Sequence, residues 1–439
     1  MKRLFNQTVI LLIVMSVVLA GCGSSGNNKE NSASPSAASS APASETASNG
    51  SGEKVKLTMG SWRTDDKDVY KKIIQEFNKQ YPNIEISFEP TKSTEYNTVL
   101  STALQTGGGP DIIHLRPYAG GVTLGDSGYV EPINGLNGLD AFPEDVLAAV
   151  TGKEGNIYGV PMALNTVAIM YNKDIFATYN LSEPKTWDEL INIAETLKSN
   201  KVTPFAFGAK DGWIISITQG AMGPSAYGGS AFASQLVSGE KKFTDTAYVS
   251  SLQMMKDLSP YYADKFTGVS YEDMRTLFVT GQAGMYVMGD FDVGVIQSMN
   301  PELSFDVFPV PSQTEAGKLT VSTYVDGSYA VNSNSAHKEE AKKFLEFAAS
   351  KAFGNLFSNE MKRVSPIAGV EVADPIIAKF ANYANTISTP YLLVTNFAKG
   401  TPTTKVTMEN EMQALFFEKQ TAEQVAESMQ KATDTWFGK

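Results

Sequence analysis

Apolar residues alternate with polar ones at Val55, Leu57 and Met59, the period of a strand with one buried face. The period then changes: over 68–81, Val69, Tyr70, Ile73, Ile74 and Phe77 recur at helical spacing, and Pro82 stops the run. Alternation returns at Ile84, Ile86 and Phe88, and a helical stretch follows over 95–105. Gly107-Gly108-Gly109-Pro110 then breaks the chain before a short strand over 111–115. Strand, helix, strand, helix, strand argues for a parallel sheet with right-handed crossovers. A ligand crevice belongs off the carboxyl ends of such strands. Just past the first and third strands stand Trp62-Arg63-Thr64-Asp65-Asp66 and His114-Leu115-Arg116, where ligand groups are expected.

Later segments repeat the α/β pattern. Thr186-Trp187-Asp188-Glu189 reads as a capping box, opening a helix with Leu190, Ile193, Ala194 and Leu197 on one face. Ser270 caps a helix over 271–279, and Gly281-Gln282-Ala283-Gly284 breaks the chain before the apolar run 285–288. Ser335 caps a helix reaching 349, and Thr421 caps a last one over 422–436. Nothing in the body reaches transmembrane length, and no internal repeat stands out. About 386 residues follow position 53, which favours two α/β lobes over one oversized sheet.

The amino terminus reads differently. Lys2 and Arg3 precede a run, 9–20, that is apolar except for Ser16. Those twelve residues span ~18 Å as a helix, short of a ~30 Å hydrocarbon core, so the pattern is that of a signal peptide, residues 1–21. It ends in Leu19-Ala20-Gly21-Cys22, which resembles the lipobox of bacterial lipoproteins and marks Cys22 for lipidation. An ordinary secretory signal with an incidental cysteine is the plainer alternative. Residues 23–52 contain no Leu, Ile, Val, Phe, Met, Trp or Tyr, so 22–53 reads as a lipidated cysteine and flexible linker with a reach of roughly 30 Å. The Ser/Ala-rich leash resembles those of Gram-positive lipoproteins. The body is thus expected at the outer face of the cell membrane.

Charge narrows the function classes. The chain carries 36 Lys+Arg against 47 Asp+Glu, and loss of Lys2 and Arg3 with the leader leaves −13. That balance opposes nucleic acid, whose phosphates want a basic face. A single cysteine excludes a disulfide scaffold, a cysteine zinc site and an iron–sulfur cluster. His114 and His337 are 223 positions apart, outside any HExxH pattern, and no phosphate-binding glycine loop or GxSxG elbow occurs. No metal, cofactor or catalytic set is therefore expected. Asp65 with Asp66, or Asp290 with Asp292, leaves open an acid/base pair of the glycosidase kind, although aspartates beside aromatics also bind sugar hydroxyls without chemistry.

Five fragments carry a family likeness: Gly107-Gly108-Gly109-Pro110-Asp111-Ile112-Ile113, Tyr158-Gly159-Val160-Pro161, Met170-Tyr171-Asn172-Lys173-Asp174-Ile175-Phe176, Pro184-Lys185-Thr186-Trp187-Asp188-Glu189-Leu190, and Phe278-Val279-Thr280-Gly281-Gln282-Ala283-Gly284-Met285. In order and spacing they resemble bacterial extracellular solute-binding proteins of family 1, the sugar-type receptors of ABC importers. The likeness covers most of 55–350, and the tail beyond about 365 carries little of it. It implies a type II periplasmic-binding-protein-like fold, with a ligand cleft between two α/β lobes joined by hinge crossings. By motif, the crossings fall near 163–167, 288–290 and 328–332. The amino-terminal lobe is then 54–163 plus 290–328, and the carboxyl-terminal lobe 164–289 plus 329–439. The partners implied are a small carbohydrate, the transmembrane permease subunits and, through Cys22, the membrane. The receptor is expected to be a monomer without enzymatic activity.

The same likeness assigns the ligand groups. Sugars offer C–H faces that stack on rings and hydroxyl rims that suit Arg and Asp. Trp62, Arg63, Asp65 and Asp66 supply that mixture, although either aspartate also serves as a helix cap and Arg63 as an ion-pair partner. His114 and Arg116 follow the third strand, with a buried structural histidine as the alternative. Asn165 stands at the first crossing, as ligand contact or hinge cap. Trp213, after Asp211-Gly212, fits a stacking aromatic or, with Ile214 and Ile215 following, a core residue. Asp290 and Phe291 occupy a segment where the family usually places a stacking Trp, so Phe291 makes a smaller platform. Asp326, in Asp326-Gly327-Ser328, resembles a glycine turn near ligand, or is simply a turn. Arg363 is assigned to the cleft from the second lobe. The rival readings are the same receptor for a peptide, polyamine or anion, and a glycoside-cleaving enzyme.

Overall fold

The computed structural model describes residues 53–438; the expected leader 1–21, Cys22 and all but the end of the linker lie outside the described residues. Strands run β1 (Val55–Ser61), β2 (Ile84–Pro90), β3 (Ile112–Leu115), β4 (Val160–Pro161), β5 (Leu164–Asn172), β6 (Thr203–Ala206), β7 (Ala283–Gly289), β8 (Phe305–Phe308), β9 (Val310–Pro311), β10 (Leu319–Val325), β11 (Ser328–Val331) and β12 (Ser388–Pro390).

The first sheet has the order β2-β1-β3-β11-β4. β1 runs parallel to both β2 and β3, and β11 lies antiparallel to β3. The crossover helices are Lys67–Gln80 and Ser93–Gln105. The first buries Tyr70, Ile73 and Phe77, the stripe its spacing announces. The chain leaves β1 to one side and returns to β3 on the other, so Trp62 and its neighbours emerge at a switch point of the sheet.

The second sheet has the order β12-β10-β5-β7-β6, with β8 pairing the far half of β5 and β9 pairing β10. β5 is buried along nearly its whole length. Helix Trp187–Ser199 opens on the Thr186/Glu189 capping box and closes over the sheet, where a Cβ on Gly284 would come within 2.6 Å of Leu197. The Ser270/Asp273 and Thr421/Gln424 boxes also form. Ser335 caps no helix: the helix is Lys338–Ala348, and the Ser335 hydroxyl accepts from His337 N and donates to Asp111. The expected break over 281–284 is shorter, because Ala283 and Gly284 already belong to β7.

The described residues form one compact unit with two hydrophobic cores, one per sheet, in a two-lobed α/β fold. Core membership corrects the expected lobe boundaries. Phe305, Val307, Phe308, Val310 and Val321 join the second core, so most of 290–328 belongs to the second lobe. Tyr329, Ala330, Val331, Phe344, Phe357 and Ile367 join the first core, so 329 to about 370, apart from Val364, belongs to the first lobe. The physical reason is strand pairing. After β7 the chain returns through β8 and β10, both antiparallel to β5, and so no crossing occurs at 288–290. The chain passes between lobes from β4 to β5, from β10 to β11 through Asp326-Gly327, and over 361–376, where Met361 and Ile367 belong to the first core and Val364 and Ile376 to the second.

Candidate ligand-binding site

Beyond β1 the chain folds into a 3-10 turn, Thr64–Asp66, which brings Arg63 back onto Asp66. Arg63 Nε donates to Asp66 Oδ2 at 2.6 Å and Nη2 to Oδ1 at 2.9 Å, a bidentate pair. Asp66 makes no side-chain cap, so the ion-pair alternative describes it. Burial works against its charge, but the Arg63 guanidinium overrides this and holds the carboxyl below its usual range. Arg63 Nη2 also reaches across to the Phe291 carbonyl oxygen at 3.4 Å.

Trp62 is buried in the first lobe. The Arg116 guanidinium lies 3.9 Å over its ring, steadied by Asn97 Oδ1 at 3.0 Å and Ser93 Oγ at 3.1 Å. Gly327, at φ 108°, passes close to the same ring, where a Cβ would come within 2.5 Å of Trp62 Cη2. Only glycine fits both that dihedral and that approach.

Facing Arg63 in the second lobe is a cluster around Asp292 whose arginine and two tyrosines the sequence reading missed. Asp292 is fully buried and accepts from the hydroxyls of Tyr271 and Tyr286. Arg275 Nη1 lies 3.3 Å from Asp292 Oδ1 and 3.2 Å from Asp65 Oδ2 of the first lobe. Burial disfavours the Arg275 charge, but Asp292, Tyr271, Tyr286 and Asp65 together outweigh that and raise its pKa. Trp213, half-buried in the first turn of helix Gly212–Met222, meets Tyr271 edge to face with ring centroids 4.8 Å apart. A signal for Arg275 existed: Tyr271, Arg275 and Phe278 share one helix face, and a charge on an apolar stripe needs a partner.

Six assigned residues stand elsewhere. His114 is fully buried, with Nδ1 2.7 Å from Ser61 Oγ and Nε2 3.1 Å from Tyr70 OH. Burial pushes its pKa down to about 3, so a neutral ring braces the first core and has no nitrogen left for ligand. Asp290 is also fully buried, and its two oxygens accept from Thr166 N at 3.0 Å and Val364 N at 2.7 Å. It staples two crossing segments, and burial pushes its pKa up to about 6. Arg363 sits in the third crossing at 1 % exposure, its Nη2 donating to Asn165 Oδ1 and Asp326 Oδ2, both at 2.6 Å. Asn165 Nδ2 continues to Tyr324 OH at 2.9 Å. Arg363, Asn165 and Asp326 thus bind the three crossings to one another. Phe291 is a core ring, turned under the space a Cβ on Gly289 would occupy.

Trp62, Arg63, Asp65, Asp66 and Arg116 therefore lie together on the first lobe. Tyr271, Arg275, Asp292 and Trp213 oppose them, and the hinge network lies at 165, 290, 326 and 363. Asp66, Asp290 and Asp292 are all engaged, so neither aspartate pair stands as a free acid and base. Among the described residues no group of three or more His, Cys, Asp or Glu could hold a metal ion. A groove of about 700 Å3 on the second lobe, lined by Pro204, Pro260 and Tyr262, shares no residue with these clusters.

The profile of the bacterial extracellular solute-binding protein family matches residues 60–354. A curated relative, the multiple sugar-binding protein of Streptococcus mutans, is 25% identical over 311 residues, covering 69% of this chain and 72% of its own. Among solved structures, a chitin oligosaccharide binding protein superposes with a TM-score of 0.76 at 25% identity, over 88% of this chain and 99% of that one. The receptor RafE in complex with raffinose has a TM-score of 0.74 at 18% identity, over 87% and 99%, a likeness of fold.

Proposed function

Because the chain belongs to the bacterial extracellular solute-binding protein family, we propose that it is the receptor of an ABC importer, capturing an uncharged mono- or oligosaccharide between its lobes. One observation carries the reading: charge along the seam is already matched. Arg63 pairs with Asp66, Arg275 with Asp65 and Asp292, and Arg363 with Asp326; with Arg116 beside Trp62, four arginines balance four aspartates. At the facing clusters, Arg63, Arg116 and Arg275 with Asp65, Asp66 and Asp292 offer a ligand fork-shaped donors and acceptors without net charge. The half-buried Trp213 adds a ring for the C–H face of a sugar. The names of the multiple sugar-binding and chitin oligosaccharide binding relatives support the same class. Ligand favours closure because only the closed state lets it touch both lobes. On this reading Cys22 carries the lipid that holds a monomeric receptor at the outer membrane face, the permease is formed by other chains, and the sugar is released unchanged.

Thermal unfolding of residues 53–439 against mono- and oligosaccharides, peptides, polyamines and anions tests it. A ligand at ~100 times its dissociation constant stabilises the native state by about 2.7 kcal/mol. The expected result is a midpoint rise with one sugar series, weakened by about 1–2 kcal/mol in Trp213→Ala. A response to a peptide or ion alone sinks the carbohydrate reading, and sustained release of a cleaved product sinks the receptor reading.

A further inference from the structure

Among the described residues, two polar contacts bridge the lobes away from the three chain crossings, and both start just after β1. One is Arg63 Nη2 to the Phe291 carbonyl at 3.4 Å; the other is Arg275 Nη1 to Asp65 Oδ2 at 3.2 Å. The second has an unequal construction. The Arg275 side chain is 7% exposed and is held by its own lobe: Asp292 takes Nη1, and the Tyr271 ring lies 4.8 Å beneath the guanidinium. Asp292 is fixed in turn by the Tyr271 and Tyr286 hydroxyls. Asp65, 38% exposed, has no other cation within ion-pair distance among the described residues. Arg275 is thus aimed at the seam whether or not the first lobe is there, whereas Asp65 finds it only when the lobes meet.

We infer that Asp65 and Arg275 form an ion-pair latch between the lobes, which favours the closed receptor before any ligand arrives. Opening breaks the pair without stranding a buried charge, because Arg275 keeps Asp292 and Asp65 passes into water. This separates it from Arg363 with Asp326, which joins crossing segments and survives lobe movement. A latch so exposed on one side is weak, and weakness suits a device that must reopen. Its contribution to ligand affinity follows from population shift: a ligand that selects the closed state gains by the factor through which the latch raises that state.

The inference rests on the two-lobed receptor reading but needs no ligand for its main test. Residues 53–439 contain no cysteine, so Lys79→Cys on the first lobe and Asn192→Cys on the second accept spin labels cleanly. Pulsed-dipolar distances in the ligand-free protein then give the closed and open populations. Asp65→Asn is expected to lower the closed-to-open ratio roughly two- to fivefold. Raising salt to about 0.5 M should produce much of that shift in the parent and little further shift in Asp65→Asn. A single open distance in the parent, or a ratio unchanged by both Asp65→Asn and salt, overturns the latch. If a sugar that binds loses affinity in Asp65→Asn while the ligand-free ratio stays put, Asp65 is a ligand contact and the latch is again overturned. That outcome would leave the receptor reading standing.

Discussion

Two buried groups with opposite pH responses offer a sharp test of the fold's electrostatics. His114 is neutral in the folded protein, with its pKa held down to about 3 by burial, whereas an unfolded histidine titrates near ~6.5. Below pH ~6.5 the unfolded chain therefore binds a proton that the native one refuses, and acidification costs about 1.4 kcal/mol per pH unit. Asp290 runs the other way. Its native pKa, pushed up to about 6 by burial, exceeds the ~3.9 of an unfolded aspartate, so between pH ~6 and ~4 the native state holds the extra proton. Its contribution is fully present below ~4 and is lost as pH rises through 6. Across pH 6 to 4 the two slopes cancel, and these two groups leave the parent nearly flat. Below pH ~4 His114 continues to destabilise, joined by Asp66, whose depressed carboxyl loses its contribution as it protonates. Asp290→Asn uncovers the histidine, and stability should fall by about 3 kcal/mol from pH 6 to 4; His114→Gln uncovers the aspartate, and stability should rise by a similar amount. A pH-independent cost of about 1–3 kcal/mol accompanies Asp290→Asn, because one amide face now meets a backbone N–H. The assay is denaturant unfolding at half-unit pH steps, with histidine ring NMR. The chain has two histidines, so His337→Gln identifies the His114 signal. A His114 ring titrating near pH 6.5, or a His114→Gln curve parallel to the parent's, refutes the reasoning.

The hinge yields two further expectations. Arg363→Ala strands the buried Asp326 carboxylate and removes the donor from Asn165, so denaturant unfolding should show a loss of about 3–5 kcal/mol; a loss below ~1 kcal/mol would show that the crossings hold without this network. Gly327→Ala places a methyl 2.5 Å from Trp62 Cη2 and 2.8 Å from Leu115 O at φ 108°, so the melting temperature should drop by the equivalent of about 1–3 kcal/mol, and an unchanged midpoint would refute the close approach.

Local periodicity made the first half of the first lobe legible. Val55, Leu57 and Met59 and the helix that buries Tyr70, Ile73 and Phe77 need only their own neighbours to be recognised. The capping boxes at Thr186, Ser270 and Thr421 were legible for the same reason, since donor and acceptor lie three residues apart. The lobe boundaries were not, because the deciding contact is β5 taking β10 and β8 on one edge, a pairing between segments more than a hundred residues apart. Motif order placed a crossing where the chain instead turns back into the same sheet.

The site failed in a more instructive way. Asp290 follows a strand-end glycine, just where a ligand carboxylate is expected, yet its partners are backbone N–H groups 124 and 74 positions away. Arg363 looked like a reach into the cleft, and its acceptors lie 198 and 37 positions away, on the other two crossings. Conversely Arg275, which no motif marked, bridges the lobes through Asp65. Charged residues near a seam are conspicuous in any sequence; what a sequence withholds is which opposite charge each one meets. That pairing decides the role. A carboxylate closed off by two backbone donors belongs to the hinge, one held by its own lobe's tyrosines becomes an anchor, and one left half in water can change partners when the lobes move. Asp65 is the last kind, and for that reason a conservative change at this exposed position should alter lobe opening more than fold stability.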